Sequence, residues 1–177
     1  LSGLVGSEMC IRDRNSKQGS AFAANFADIN YINIFSLDTA AEQVAQVRNA
    51  ARAVGKDKVT VMANITILCR DTREEVEEYY NYLVHEVGDW EGARNVARVL
   101  LSSSSSIQDN PQVIERIVLT FGGWPVIGTP DEVVAQIRQL SDIGLDGLAL
   151  SWPDFEDGIA RYHRDLLPRL KSAGLRV

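Results

Sequence analysis

A chain of 177 residues is long enough for one globular domain and too short for two full ones. Its 45% hydrophobic and 24% charged residues exclude a disordered chain. A net charge of −6 argues against a broad nucleic-acid surface, which needs clustered positive charge to meet phosphates. Its apolar runs fall short of a membrane span. Two cysteines and two histidines, far apart in sequence, suit neither a disulfide framework nor a structural zinc site. With no secretory pattern, the expected compartment is a reducing cytoplasm.

Residues 1–14 show neither a helical stripe nor strand alternation. Leu4 to Arg14, LVGSEMCIRDR, resembles the in-frame translation of a sequencing adapter, which makes 1–14 a non-native segment outside the fold; the plainer reading is a disordered tail. The charges of Glu8, Arg12, Asp13 and Arg14 cancel, so the acidic balance belongs to the rest of the chain. The adapter reading also expects native sequence further upstream.

From Asn15 the pattern is regular. Ser16 to Phe26 places Ala21, Phe22, Ala24 and Phe26 at helical spacing and predicts a helix. Asp28 to Phe35 is short and β-rich and predicts a strand. Thr39 to Val54 predicts a helix, with Asp38 or Thr39 as N-cap, Glu42 in capping-box position, Arg48 and Arg52 near its end and Gly55 as the stop. Lys58 to Cys69, apolar on both faces, predicts a buried parallel strand. Asp71 or Thr72 caps a helix that runs to about Val87, with acids in its first turn.

Residues 88–125 break the rhythm. Helical pieces at Ala93–Leu101 and Gln112–Leu119 flank the serine run Ser102 to Ser106, and Gly122-Gly123-Trp124-Pro125 closes the stretch. Pro130 then sits in the first turn of a helix, Asp131–Ile143, which Gly144 stops. Asp146 to Trp152 predicts a third strand, and Phe155 to Ala173 a closing helix that Pro168 kinks or divides. Alternating strands and helices imply parallel β/α units with right-handed crossovers. Three strands cannot close a barrel and leave two edges unpaired.

Residues 122–177 contain Gly128-Thr129-Pro130 followed by Glu132-Val133, the turn Ile143-Gly144-Leu145-Asp146, then Ser151-Trp152-Pro153, Phe155-Glu156-Asp157 and Leu167-Pro168. These features resemble the C-terminus of luciferase-like, flavin-dependent monooxygenases, such as those acting on alkanesulfonates, dimethylsulfone or pyrimidines. Upstream, Asn15-Ser16-Lys17-Gln18-Gly19 and Ala23 to Asp28 are similar to that family's Gly-x-Ser-x-x-Gly turn and the helix into its sixth strand, with Arg14 where the first glycine is expected. The resemblance implies an α/β fold, the C-terminal part of a TIM-like (β/α)₈ barrel. It would comprise about three β/α units over 15–177, with 88–125 as an insertion forming the active-site lid. Such barrels run to ~250 residues.

The resemblance further implies a reduced FMN cofactor supplied by a separate NAD(P)H:flavin reductase, O₂ as oxidant, and a small organosulfur or N-heterocyclic substrate. It also implies a homo-oligomer at full length. The same barrel family includes F420-dependent oxidoreductases, so F420 is the alternative cofactor.

Barrel active sites form at the C-terminal ends of strands. At the first such loop, Ser16, Lys17 and Gln18 open a helix whose free N–H groups suit a phosphate; the resemblance assigns them to the FMN phosphate, and the alternative is an ordinary N-cap serine. At the second, Asp38 reads as a helix cap. At the third, Trp152 either walls a flavin or substrate pocket or packs on the closing helix, and Asp154 caps that helix. His85 and His163 read as surface helix residues, with His85 able to approach the site if the 88–125 stretch folds over. Cys69 reads as a buried apolar side chain. Glu74, Glu75, Glu77 and Glu78 read as a solvated acidic face. The serine run is either part of a mobile lid or a flexible surface excursion. The catalytic residues implied by the resemblance belong to strands that precede this chain. A self-contained α/β binding or regulatory domain is the competing reading; it expects cooperative folding alone. A barrel fragment would instead leave Ile29, Tyr31, Val61 and Leu148 facing a missing interior.

Overall fold

The computed structural model describes residues 22, 25–56, 58–100 and 110–176. Residues 1–14, the turn Ser16-Lys17-Gln18 and the run Ser102 to Ser106 lie outside them. Among the described residues, no helix is long and apolar enough to cross a membrane. The chain divides into two compact units: one reaches Asn64 and adds Leu140–Ala149, the other comprises Ile65–Gln139 and Leu150–Val177.

In the first unit, strand β1 (Ile29–Ile32) is followed by helix α1 (Leu37–Ala53) and the opening half of strand β2 (Thr60–Cys69). The pairing is parallel, with Ile29 opposite Thr60 and Ile32 opposite Ala63. Of the expected helix Ser16–Phe26, Phe22, Asn25 and Phe26 are helical and the rest lies outside the described residues.

Helix α1 starts two residues earlier than expected. Ser36, in extended conformation, is the N-cap, and its hydroxyl takes the Thr39 N–H. Thr39 returns the bond by accepting the Ser36 N–H at 3.2 Å, so Thr39 closes a capping box instead of opening one, and Asp38 sits in the first turn. Ala40, Val44, Val47 and Ala51 form its buried stripe.

The residues 140–149 are tied to this unit by one carboxylate. Asp146 accepts the Val61 N–H at 2.8 Å and the Arg48 guanidinium at 3.0 Å, while Arg48 also donates to the Gly144 carbonyl at 2.7 Å. Gly144 has φ +97°, so the turn needs the left-handed region, and a Cβ there would lie 3.2 Å from Val44, a tight contact that asks the valine to give by a few tenths of an ångström.

Along β1, Ile29 and Tyr31 are exposed while Asn30 and Ile32 are buried. The register puts Val61 opposite Asn30, on the buried face, and Thr60 and Met62 opposite Ile29 and Tyr31. Val61, fully buried, therefore belongs to the helix-covered face and not with Ile29 and Tyr31 as the sequence suggested.

In the second unit, the closing half of β2 pairs in parallel with strand β3 (Trp124–Gly128), Ile65 opposite Trp124 and Cys69 opposite Gly128. This strand was not expected: Gly122-Gly123 and Pro125 read as chain breakers. Pro125 lies opposite Thr66. The Gln136 side chain covers the backbone of β3 by accepting from Ile127 N at 3.3 Å and donating to Ile127 O at 2.8 Å, which blunts exposed backbone groups of a strand.

Between β2 and β3 come helix α2 (Arg73–Asn81), a π-helical turn (Tyr82–Glu86), helix α3 (Trp90–Leu100) and helix α4 (Pro111–Thr120). Thr72 caps α2 and Glu75 completes its capping box. Ala93 and Ala97 of α3 pack with Ile114 and Ile117 of α4 in a small separate core.

Helix α5 (Pro130–Asp142) and strand β4 (Gly147–Ser151) follow, and β4 pairs with β2. The closing helix is divided into α6 (Phe155–Arg161), a π-helical segment (Tyr162–Leu166) and α7 (Leu167–Ser172). The division falls just before Pro168, which occupies the first turn of α7. Pro168 cannot donate back to residue 164, and widening the preceding turn accommodates that missing bond.

Candidate active site

The second unit carries a pocket of about 420 Å³ at the C-terminal half of β2 and the end of β4. Thr66 of β2 and Ser151 of β4 supply polar groups, and Trp152 and Pro153 continue from β4. The opposite walls come from the start of α3, with Asp89, Gly92, Ala93 and Val96, and from the end of α4, Ile117 to Phe121. These are strand-end positions of parallel β/α units, where such folds place their chemistry.

Each wall has a local cause. Asp89 caps α3, its carboxylate taking the Gly92 N–H at 2.7 Å and its carbonyl the Ala93 N–H at 3.0 Å. Helix α4 ends on Phe121, which has left-handed backbone (φ 52°) and is 76% exposed. An aromatic held in that region is uncommon; here the next residue, Gly122 (φ 95°), lets the chain reverse. Thr66 is buried, and its hydroxyl lies 2.9 Å from that of Ser151, which lies 3.0 Å from the Ile65 carbonyl oxygen.

Trp152 stands between a pocket and the closing helix. It lines the pocket, and it packs on α6: Phe155 and Tyr162 present their edges at centroid distances of 5.8 and 6.2 Å, and Gly158 leaves the space the indole fills. Asp154 caps α6, accepting from Glu156 N and Asp157 N. Arg70 then fixes the helix start, donating to Asp157 at 2.9 Å and to its neighbour's carbonyl at 2.7 Å while lying 3.6 Å over the Tyr79 ring. Arg161 bonds both Asp157 oxygens at 3.1 Å and reaches Asp71 at the same distance.

His85 stacks on Trp90 and meets the edge of Tyr80, and it does not line the pocket. The Tyr80 hydroxyl donates to Glu115, and burial followed by that carboxylate pushes its pKa up to about 12. Cys69 is buried at the end of β2, and burial raises its thiol to about 11. Burial shields the thiol and its raised pKa lowers the thiolate fraction, so at pH 8 the folded chain is expected to alkylate at Cys69 at least about a hundredfold more slowly than the unfolded chain; iodoacetamide labelling with peptide mapping, in buffer and in urea, measures this. The neutral thiol is also the form the fold favours, so its stabilising effect holds below pH 9 and fades as pH rises towards 11.

Among the described residues that line it, the pocket carries no lysine, arginine or histidine. It therefore suits an uncharged ring or substrate and not a phosphate, which needs cations or free N–H groups. Thr66, Asp89, Thr120 and Phe121 were not expected as site residues. A threonine inside a β-branched run resembles strand filler, and the other three lie in the stretch that read as an insertion.

Residues 15–147 match the family of luciferase-like monooxygenases. The chain belongs to that family. The pyrimidine monooxygenase RutA of Agrobacterium fabrum is 20% identical over 165 residues, spanning 89% of this chain and 45% of the relative. Among solved structures, DmoA from Hyphomicrobium sulfonivorans superposes with a TM-score of 0.79 at 21% identity, over 92% of this chain and 41% of that one. A riboflavin lyase, RcaE, solved with modified FMN and riboflavin, superposes with a TM-score of 0.77 at 22% identity, over 92% and 42%. The fold is thus part of the luciferase-like, TIM-like barrel, and the chain spans less than half the length of these relatives. Flavin- and F420-dependent enzymes both occur among the structures that share the fold.

Proposed function

We propose that residues 15–177 are the C-terminal half of a flavin-dependent monooxygenase barrel, and that the pocket between Thr66, Ser151 and Trp152 is the side of its active site contributed by this half. The observation that carries the reading is the pocket's place: it opens at the C-terminal ends of parallel strands, where barrel enzymes build their active sites, in a chain of the luciferase-like monooxygenase family. In this reading Ser16, Lys17 and Gln18 hold the FMN phosphate through a hydroxyl and backbone N–H groups at a helix start. Trp152 bounds the ring or substrate, and the α3–α4 stretch within 88–125 closes over it as the lid. Bound reduced FMN would supply the reaction with O₂; this chain's residues orient the substrate and exclude water.

The reductase partner, the oligomer and a substrate that is a small organosulfur compound or N-heterocycle belong to the same proposal. So does a cytoplasmic location. F420 in place of FMN is the second reading, since the same fold serves both.

The upstream reading frame, joined at codon 15 and expressed with this chain, tests the cofactor. With FMN, NADH and a flavin reductase, the extended protein is expected to consume O₂ and transform substrate. Hydride transfer from reduced F420 with no O₂ uptake would replace the monooxygenase reading with the F420 one.

A further inference from the structure

Among the described residues, every side-chain hydroxyl lining the pocket has spent its proton on the protein itself. The Ile65 carbonyl oxygen can only accept, so Ser151, 3.0 Å away, donates to it. Thr66 and Ser151 share a bond of 2.9 Å, and with the Ser151 proton engaged, Thr66 is the donor. Thr120 faces the Arg116 and Gly123 carbonyls at 2.7 and 2.9 Å and accepts the Gly122 N–H at 3.2 Å, so its proton also points inward.

Lone pairs are what remain for a ligand. Asp89, the charged residue of the lining, is an acceptor, and the end of α4 adds the partial negative charge of its last carbonyls. The start of α3 also borders the pocket, but Asp89 already occupies the Gly92 and Ala93 N–H groups. Among the described lining side chains, the Trp152 indole is the one N–H donor.

We infer that the pocket selects a small uncharged ligand that donates hydrogen bonds, through a ring or amide N–H or a hydroxyl, and rejects acceptor-only anions such as sulfonates. An anion would meet Asp89, the α4 terminus and unshared oxygen lone pairs, with no cation among the described lining residues to offset them. A ring N–H pointing at Thr66 meets an oxygen whose acceptor capacity is unfilled. The inference rests on reading this pocket as the substrate side of the site, and it separates the two substrate classes left open above: the N-heterocycle fits and the sulfonate does not.

Three probes of similar size test it on the flavin-free chain by ligand-observed NMR titration: 2-pyridone, N-methyl-2-pyridone and benzenesulfonate. The expected result is that 2-pyridone binds about tenfold more tightly than its N-methyl analogue, the effect of one hydrogen bond to an otherwise unpaired acceptor, and that benzenesulfonate gives no saturable binding. Thr66→Val removes the 2-pyridone advantage and leaves the N-methyl analogue unaffected. Ser151→Ala returns a free proton to Thr66 and narrows the gap between the pyridones; it serves if Thr66→Val fails to fold. Equal binding of the two pyridones, sulfonate binding as tight as either, or no binding of any probe in the millimolar range overturns the inference. Because flavin is absent, failure here is distinct from failure of the cofactor reading, which shows in the FMN and O₂ measurements of the extended protein.

Discussion

Replacing Leu166 with alanine is expected to lower stability by about 3 kcal/mol, within the usual range for a leucine removed from a close-packed core. Leu166 is fully buried at the end of the π-helical segment and shares a small crevice with Ile67 and Cys69 of β2 and Gly158 of α6. Relaxation into the space is limited on each side. The strand is held by its ladder to β3, and α6 is held by the Arg70–Asp157–Arg161 contacts. Urea unfolding followed by far-UV circular dichroism measures the loss as a lower midpoint with an unchanged slope. A loss under about 1 kcal/mol would mean that the closing segment packs more loosely than its burial indicates.

The second large effect has the opposite sign to the usual rule. Alanine in place of a mid-helix glycine normally stabilises by about 1 kcal/mol. At Gly158 an added Cβ would lie 2.2 Å from Trp152 Cγ and 2.5 Å from its Cδ1. The indole cannot simply retreat, because Phe155 and Tyr162 press their edges on it and Pro153 restrains the backbone that follows. Overpacking outweighs the helix gain, and Gly158→Ala is expected to destabilise by about 2 kcal/mol. Since Trp152 also lines the pocket, the same variant should change the tryptophan emission and weaken 2-pyridone binding in the folded protein. A Gly158→Ala chain that is more stable than the parent, with unchanged emission, would contradict this account of α6.

Elements encoded within a few residues were legible in the sequence, and those set by distant partners were not. Asp154 before Phe155 carries its cap within one helical turn and forms as expected, whereas at α2 the sequence left Asp71 or Thr72 open and the structure takes Thr72, with Glu75 closing a box read only as acidic surface. Strand β2 was evident from its β-branched run, but a strand apolar on both faces does not say which face each residue takes. Only the register with β1 moved Val61 to the buried side. Strand β3 escaped notice because glycine and proline dominate its start, and its pairing partner is more than fifty residues away in sequence. The two π-helical segments have no marker of their own beyond Pro168. Trp152 was singled out because it follows a recognisable strand, whereas Ser151, Thr66, Asp89 and Thr120 become its neighbours around the pocket only through tertiary packing.

The central claim is that this chain supplies one half of a flavin site that needs both halves of the barrel. FMN fluorescence titration measures it directly, on the 177-residue chain and on the chain extended by its upstream reading frame. The account predicts no micromolar binding to the chain alone, and micromolar binding to the extended protein that Ser16→Ala weakens at least about tenfold by removing a phosphate hydrogen bond. Micromolar, Ser16-dependent binding by the chain alone, or none by the extended protein, would contradict it.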